Sequence, residues 1–147
     1  MIDLVYTIES VGRKFDEKEN KKLNISVFVN LVKAVAPLED NDLELTAFHV
    51  VELLKKIEYG NKEDRKAYIK GFKGLKKIVK ESYGLSARGD LKEESMAIGI
   101  GMGVAIGAAF TTFNPGLMAI GIPIGVAMGA AMGANREKEA EKLGKLY

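Results

Sequence analysis

The sequence predicts an all-α protein: a bundle of about four amphipathic helices, then two apolar helices that pack as a transmembrane hairpin through rows of glycine. Three observations carry this expectation. Apolar residues recur at three- and four-residue intervals through residues 1–83, the period of a helix with one buried face. Charge then stops, and residues 96–134 contain no Asp, Glu, Lys or Arg. Within that uncharged region glycine returns at every fourth position.

In the amino-terminal region, Leu4, Ile8, Val11 and Phe15, then Ile25, Phe28, Val32 and Val35, trace apolar stripes. Helices are expected near 2–19, 23–36, 42–59 and 62–83. Pro37 disfavours helix at Ala36, and Asn41 is a candidate cap for the third helix, with Glu44 reaching back to it. Gly60 offers a left-handed terminus, and Asn61 caps the fourth helix. Short connections favour antiparallel neighbours in a compact bundle. The expected domain organisation is a soluble bundle at 1–83, a polar connector at 84–95, a hairpin at 96–134 and a charged tail at 135–147.

Composition narrows the function classes. The 147 residues hold one ordinary domain, or a smaller one with an appendage. The 22 basic and 20 acidic side chains leave a formal charge of +2, too little for nucleic-acid binding by global electrostatics. With no cysteine, disulfides and Cys-ligated metal sites are excluded. The start, MIDLVYTIESVGRKF, lacks the basic, apolar and small-residue regions of a signal peptide, so cytoplasmic synthesis is expected.

No catalytic constellation is expected. His49, the single histidine, lacks the partners of an HxxxH or HExxH motif or of a nucleophile triad. Glu39, Asp40, Asp42 and Glu44 lack the glycine and terminal glutamate of a calcium loop, and acidic residues suit a helix start through the macrodipole alone. Neither a cofactor nor a metal is implied. More informative are Lys62, Lys66, Lys70, Lys73, Lys77 and Lys80, which share an arc of about 80° on the fourth helix. Tyr68, Phe72, Leu75 and Val79 occupy a different arc. The stripe is either a solvated face on a core-packed helix or a surface for anionic lipid head groups. Nucleic acid is not the expected partner, because the aromatics are not interleaved with the lysines.

Residues 96–113 and 117–134 are separated by Asn114, Pro115 and Gly116, a turn signal. As helices each is about 27 Å long, at the low end of what crosses a bilayer. Gly99, Gly103 and Gly107 in the first, and Gly121, Gly125, Gly129 and Gly133 in the second, make smooth faces. In lipid no hydrophobic force joins helices, so association depends on the close backbone approach that small residues permit. The stretches AIGIGMGVAIGAAF and AIGIPIGVAMGAAMGA resemble the glycine-zipper hairpins of many small bacterial membrane proteins. That resemblance implies helix packing in the membrane and often oligomerisation, sometimes with permeabilisation.

Other readings compete. Ile98, Ile100, Met102, Val104 and Ile106 alternate with small residues, as in a strand, but the length, Pro123 and the Ala108-Ala109 and Ala130-Ala131 pairs favour helix. The six Ile, Val and Phe residues of the first span contribute about −2 to −4 kcal/mol to insertion, and its glycines erode this. A water-soluble form that inserts on a trigger is therefore a further reading. Arg88 and Lys92 before the hairpin, and Arg136, Lys138, Lys142 and Lys145 after it, lead to the expectation that both termini face the cytoplasm. The resemblance to bacterial glycine-zipper proteins implies that the membrane is a bacterial inner membrane. The tail is expected to extend the second helix, with Glu141 and Lys145 pairing across a turn. The functional expectation is a non-enzymatic membrane protein that forms homo-oligomers, extending to membrane-perturbing or pore-like assembly. Its alternatives are a passive tethered adaptor for a cytoplasmic protein, and a soluble toxin-like or phage-associated precursor.

Overall fold

The computed structural model describes residues 1–57, 62–111 and 117–147. Among these the chain is all-helical, with seven α-helices, one 3-10 helix and no strand. It divides into two compact units, one of Met1–Leu85 with Tyr147 and one of Ser86–Leu146.

The first unit is a helical bundle of α1 (Ile2–Gly12), α2 (Glu17–Leu23), α3 (Ile25–Val35), α4 (Asn41–Lys56) and α5 (Lys62–Tyr83). The single helix expected at 2–19 is thus two helices. Its apolar spacing runs through the break, but Asp16 caps a new helix by accepting from the Glu19 amide at 2.7 Å. At the other end of the break, Gly12 is buried, and a Cβ there would lie 2.9 Å from Ile25 Cγ2, so a larger residue would have to displace the Ile25 side chain. Asn24, at φ 54°, ends α2 and starts α3. Ahead of α4 stands a 3-10 turn, Ala36–Leu38, containing Pro37.

The cap of α4 is Asp40 and not Asn41. Its carboxylate accepts from the Leu43 amide at 2.9 Å, while Glu44 takes the Met1 amino group at 2.5 Å. A charged acceptor at the helix start satisfies an orphan amide and the macrodipole together, which favours Asp over the neighbouring Asn. The expected terminators Gly60 and Asn61 lie outside the described residues.

Inside this bundle the apolar stripes meet. Leu4, Ile8 and Val11 of α1, Phe28, Leu31, Val32 and Val35 of α3, and Ala47, Val50, Val51 and Leu54 of α4 are buried together with Tyr68, Phe72, Leu75 and Val79 of α5. Phe28 and Phe72 meet at a ring-centroid distance of 5.0 Å, and Tyr68 stacks on Phe72 at 6.0 Å. The Tyr68 hydroxyl donates to the Leu23 carbonyl at 2.8 Å, tying α5 to the end of α2, and burial pushes this phenol far above its ordinary pKa. Arg65 and Glu19 pair between the same two helices.

The second unit consists of α6 (Asp90–Phe110) and α7 (Leu117–Lys142). The expected connector, 84–95, is shorter than its composition suggested. Gly89, at φ 90°, precedes a helix whose first turn carries Asp90 and Glu93, a charge placement that favours helix initiation. From the apolar stretch α7 runs on into the charged tail, and Gly144 closes the last turn at φ 65°. Lys145 falls beyond the helix, so it does not pair with Glu141 across a turn; Glu141 instead accepts from Arg88 Nη1 at 2.9 Å. The proposed turn Asn114-Pro115-Gly116 lies outside the described residues.

Candidate functional site

In the second unit α6 and α7 run antiparallel with their glycine rows face to face. Gly99 meets Gly125 and Gly129, Gly103 meets Gly121 and Gly125, and Gly107 meets Gly121. No side chain separates the backbones. A Cβ added to Gly99 would lie 2.7 Å from the Gly129 Cα, and one added to Gly125 would lie 2.8 Å from the Gly103 Cα. Because real Cβ atoms do not approach backbone so closely, any larger residue at these positions forces the helices apart. Gly101 makes the contrast, since a Cβ there meets nothing within 4 Å.

The row extends further than the glycines alone indicated. Gly129 faces the Ser95 carbonyl, Gly133 faces the Cα of Lys92, and Ser95 is 2% exposed. Ser95 was absent from the sequence-derived set because it fell within the expected connector, yet it stands four residues before Gly99 and continues the same spacing. At this level a polar clasp joins the helices. Arg136 donates to Ser95 Oγ at 3.2 Å and pairs with Glu94 at 3.6 Å, and Glu137 accepts from the Gly89 amide at 2.5 Å. Glu137 thereby supplies, from α7, the cap that α6 lacks in its own sequence.

With glycine inside, the large side chains lie outside. Ile98, Ile100, Met102, Val104, Ile106 and Phe110 of α6 are exposed, as are Ile120, Ile122, Ile124, Met128 and Met132 of α7. Exposed large apolar side chains in this number on one helix pair mark a surface for protein or membrane contact. Among the described residues one helix, Asp90–Phe110, is long and apolar enough to cross a membrane, and only 22% of its apolar window is buried.

On the first unit α5 presents its lysines. Lys62, Lys66, Lys70, Lys73, Lys77 and Lys80 are all exposed, on the side away from buried Tyr68, Phe72, Leu75 and Val79. Lys77 pairs with Glu81 at 3.7 Å. Ile69 and Ile78, on the same helix, are 40% and 42% exposed. His49 lies exposed on α4, and among the described residues no group of His, Asp and Glu is placed to hold a metal ion. Of the acidic cluster, Asp40 is engaged structurally: the Tyr83 hydroxyl and the Leu43 amide donate to it and hold its carboxyl below the ordinary range, while the same bond raises the Tyr83 phenol.

No protein-family model matches the chain, and no curated protein or solved structure matches it either.

Proposed function

We propose that this chain is a membrane-anchored helical module. Its α6–α7 pair inserts as a glycine-zipper hairpin and holds the helical bundle at the cytoplasmic face of a bacterial inner membrane, where the bundle engages a protein partner. The observation that carries the reading is the inverted packing of the hairpin, with glycine and Ser95 inside and Ile, Met, Val and Phe outside. In water each outward side chain, being about half exposed, would forgo on the order of 1 kcal/mol of burial, whereas in lipid the same outward placement is the favourable one. The charged clasp supports it, since Glu94, Arg136 and Glu137 sit where α6 and α7 leave their uncharged stretches.

Glycine-to-glycine contact within one hairpin leaves those faces filled, which favours anchoring over assembly through the glycine rows. Assembly into homo-oligomers remains a second reading, and one observation favours it: beside the seam Met102, Ile106, Ile124, Met128 and Met132 wall a narrow apolar groove. A membrane-perturbing or pore-like state would have to be built from these outer faces. The groove has apolar walls, which argues against a selective channel built on it.

The orientation test uses the absence of cysteine from the chain. Single cysteines at Lys14 and at Lys138 are expected to react with an impermeant maleimide in inverted inner-membrane vesicles and not in right-side-out vesicles. Labelling of the two positions from opposite sides would rule out a hairpin.

A further inference from the structure

The lysine face of α5 has a physical property that the sequence left undecided. An amphipathic helix that binds a bilayer by itself does so by sinking its apolar side among the acyl chains. That route is closed to α5, because Tyr68, Leu75 and Val79 are 0% exposed and Phe72 is 4% exposed, all packed in the bundle core. What α5 offers to a partner is therefore the opposite side: six lysines along five turns, with Ile69 at one edge of the stripe.

We infer that this face is a peripheral docking surface for anionic phospholipid head groups, which it grips by charge without penetrating the bilayer. The inference rests on the hairpin being a membrane anchor, and it adds a partner class for the bundle. Charge complementarity selects the partner. A row of ammonium groups about 20–27 Å long matches a plane of phosphates, which needs no defined spacing. Lysine is a compact point charge and not a planar fork, so it suits a diffuse anionic surface better than bidentate recognition of one phosphate. Single-stranded nucleic acid fits less well, because stacking on bases needs exposed aromatic rings and Tyr68 and Phe72 are buried. The tether strengthens the effect. Only residues 84–89 separate α5 from α6, so an inserted hairpin keeps α5 at high effective concentration near the surface. Under this arrangement lipid composition regulates the bundle: on an anionic membrane α5 is covered, and on a neutral one it is free for other partners.

The test uses the full chain with one fluorophore on Glu63→Cys, reconstituted into vesicles of phosphatidylcholine alone or with phosphatidylglycerol, with a quencher on the head groups. Quenching is expected to be stronger on the anionic vesicles and to fade as salt rises, since the Debye length shrinks to about 3 Å at 1 M. Each lysine near such a surface contributes about fivefold to binding, so K66Q/K70Q/K73Q/K77Q should lower the docked-to-free ratio by about a hundredfold or more. A second quadruple variant, Lys18, Lys21, Lys33 and Lys55→Gln, removes the same charge from α2, α3 and α4 and should leave most of the quenching in place. Equal quenching on both lipids, an unaffected K66Q/K70Q/K73Q/K77Q variant, or an equal loss in the two variants would each overturn the proposal. So would a stripe-dependent affinity for an oligonucleotide combined with indifference to lipid charge, which would reassign the face to nucleic acid. Carbonate resistance of the same reconstituted protein reports separately on the hairpin. If that anchor fails, co-sedimentation of the two variants with anionic vesicles still decides the lysine face.

Discussion

Leucine at both Gly103 and Gly125 is expected to separate α6 from α7 while leaving the protein in the membrane. Each added side chain would meet the opposing backbone, where a Cβ alone already lies 3.0 Å or less from the facing glycine Cα. Forcing bulk into such a contact costs about 1–3 kcal/mol per site, and the two sites share one seam, so their effects should couple. At the same time each leucine makes its span more apolar and favours insertion by about 0.3–0.6 kcal/mol. Packing and insertion therefore move in opposite directions. Spin labels on cysteines at Ala97 and Ala131, both exposed, should move apart by several ångströms in the double variant. Gly101→Leu adds the same bulk where nothing stands within 4 Å, and should leave the labels in place. If α6 and α7 stay together in the double variant, the glycine seam is not what joins them. Loss of a higher-order species in the double variant would mean that the outer faces assemble only around an intact seam.

In the bundle the largest expected loss follows Tyr68→Ala. Truncating a fully buried aromatic costs about 3–5 kcal/mol, and the orphaned Leu23 carbonyl adds a desolvation penalty of about 1–3 kcal/mol if water cannot reach it. Against a typical domain stability of about 5–15 kcal/mol, that is enough to leave the first unit partly unfolded. Tyr68→Phe isolates the hydroxyl, keeps the stack on Phe72 and should cost only the smaller sum. Amide hydrogen exchange in α3 and α5 reads both variants, with opening free energies falling most in Tyr68→Ala. Unchanged protection there would place the bundle's stability elsewhere than in the Phe28, Tyr68 and Phe72 cluster.

Much of this architecture was legible because helix periodicity is a local property. The stripe Tyr68, Phe72, Leu75 and Val79 names the buried side of α5 without knowledge of what it packs on, and each of the four is buried. Boundaries were less legible where local signals disagreed. Leu4, Ile8, Val11 and Phe15 keep helical spacing across a break that Asp16 imposes by capping, and the Asp16–Glu19 spacing was the signal that would have found it. The start of α6 at Asp90 was hidden for a related reason. Its first turns are polar, so they look like linker until Leu91 and Ser95 are seen to be buried.

The α6–α7 pair shows a different limit. A four-residue glycine spacing establishes that a helix face is small, but it does not say which helix will meet it. Only the opposed contacts of Gly99 with Gly125 and Gly129 identify the partner as the chain's own second helix. The clasp was invisible for the same reason, since Glu137 and Gly89 are 48 residues apart and neither is unusual alone.

The central claim is that an inside-out hairpin anchors this chain in a bilayer, and alkaline carbonate extraction of membranes from cells expressing the full chain tests it most directly. The account predicts that the protein stays in the membrane pellet at high pH and leaves it only with detergent. Quantitative release into the carbonate supernatant as a soluble species would contradict it, and would mean that the exposed Ile, Met and Phe side chains of α6 and α7 are covered by protein instead of lipid.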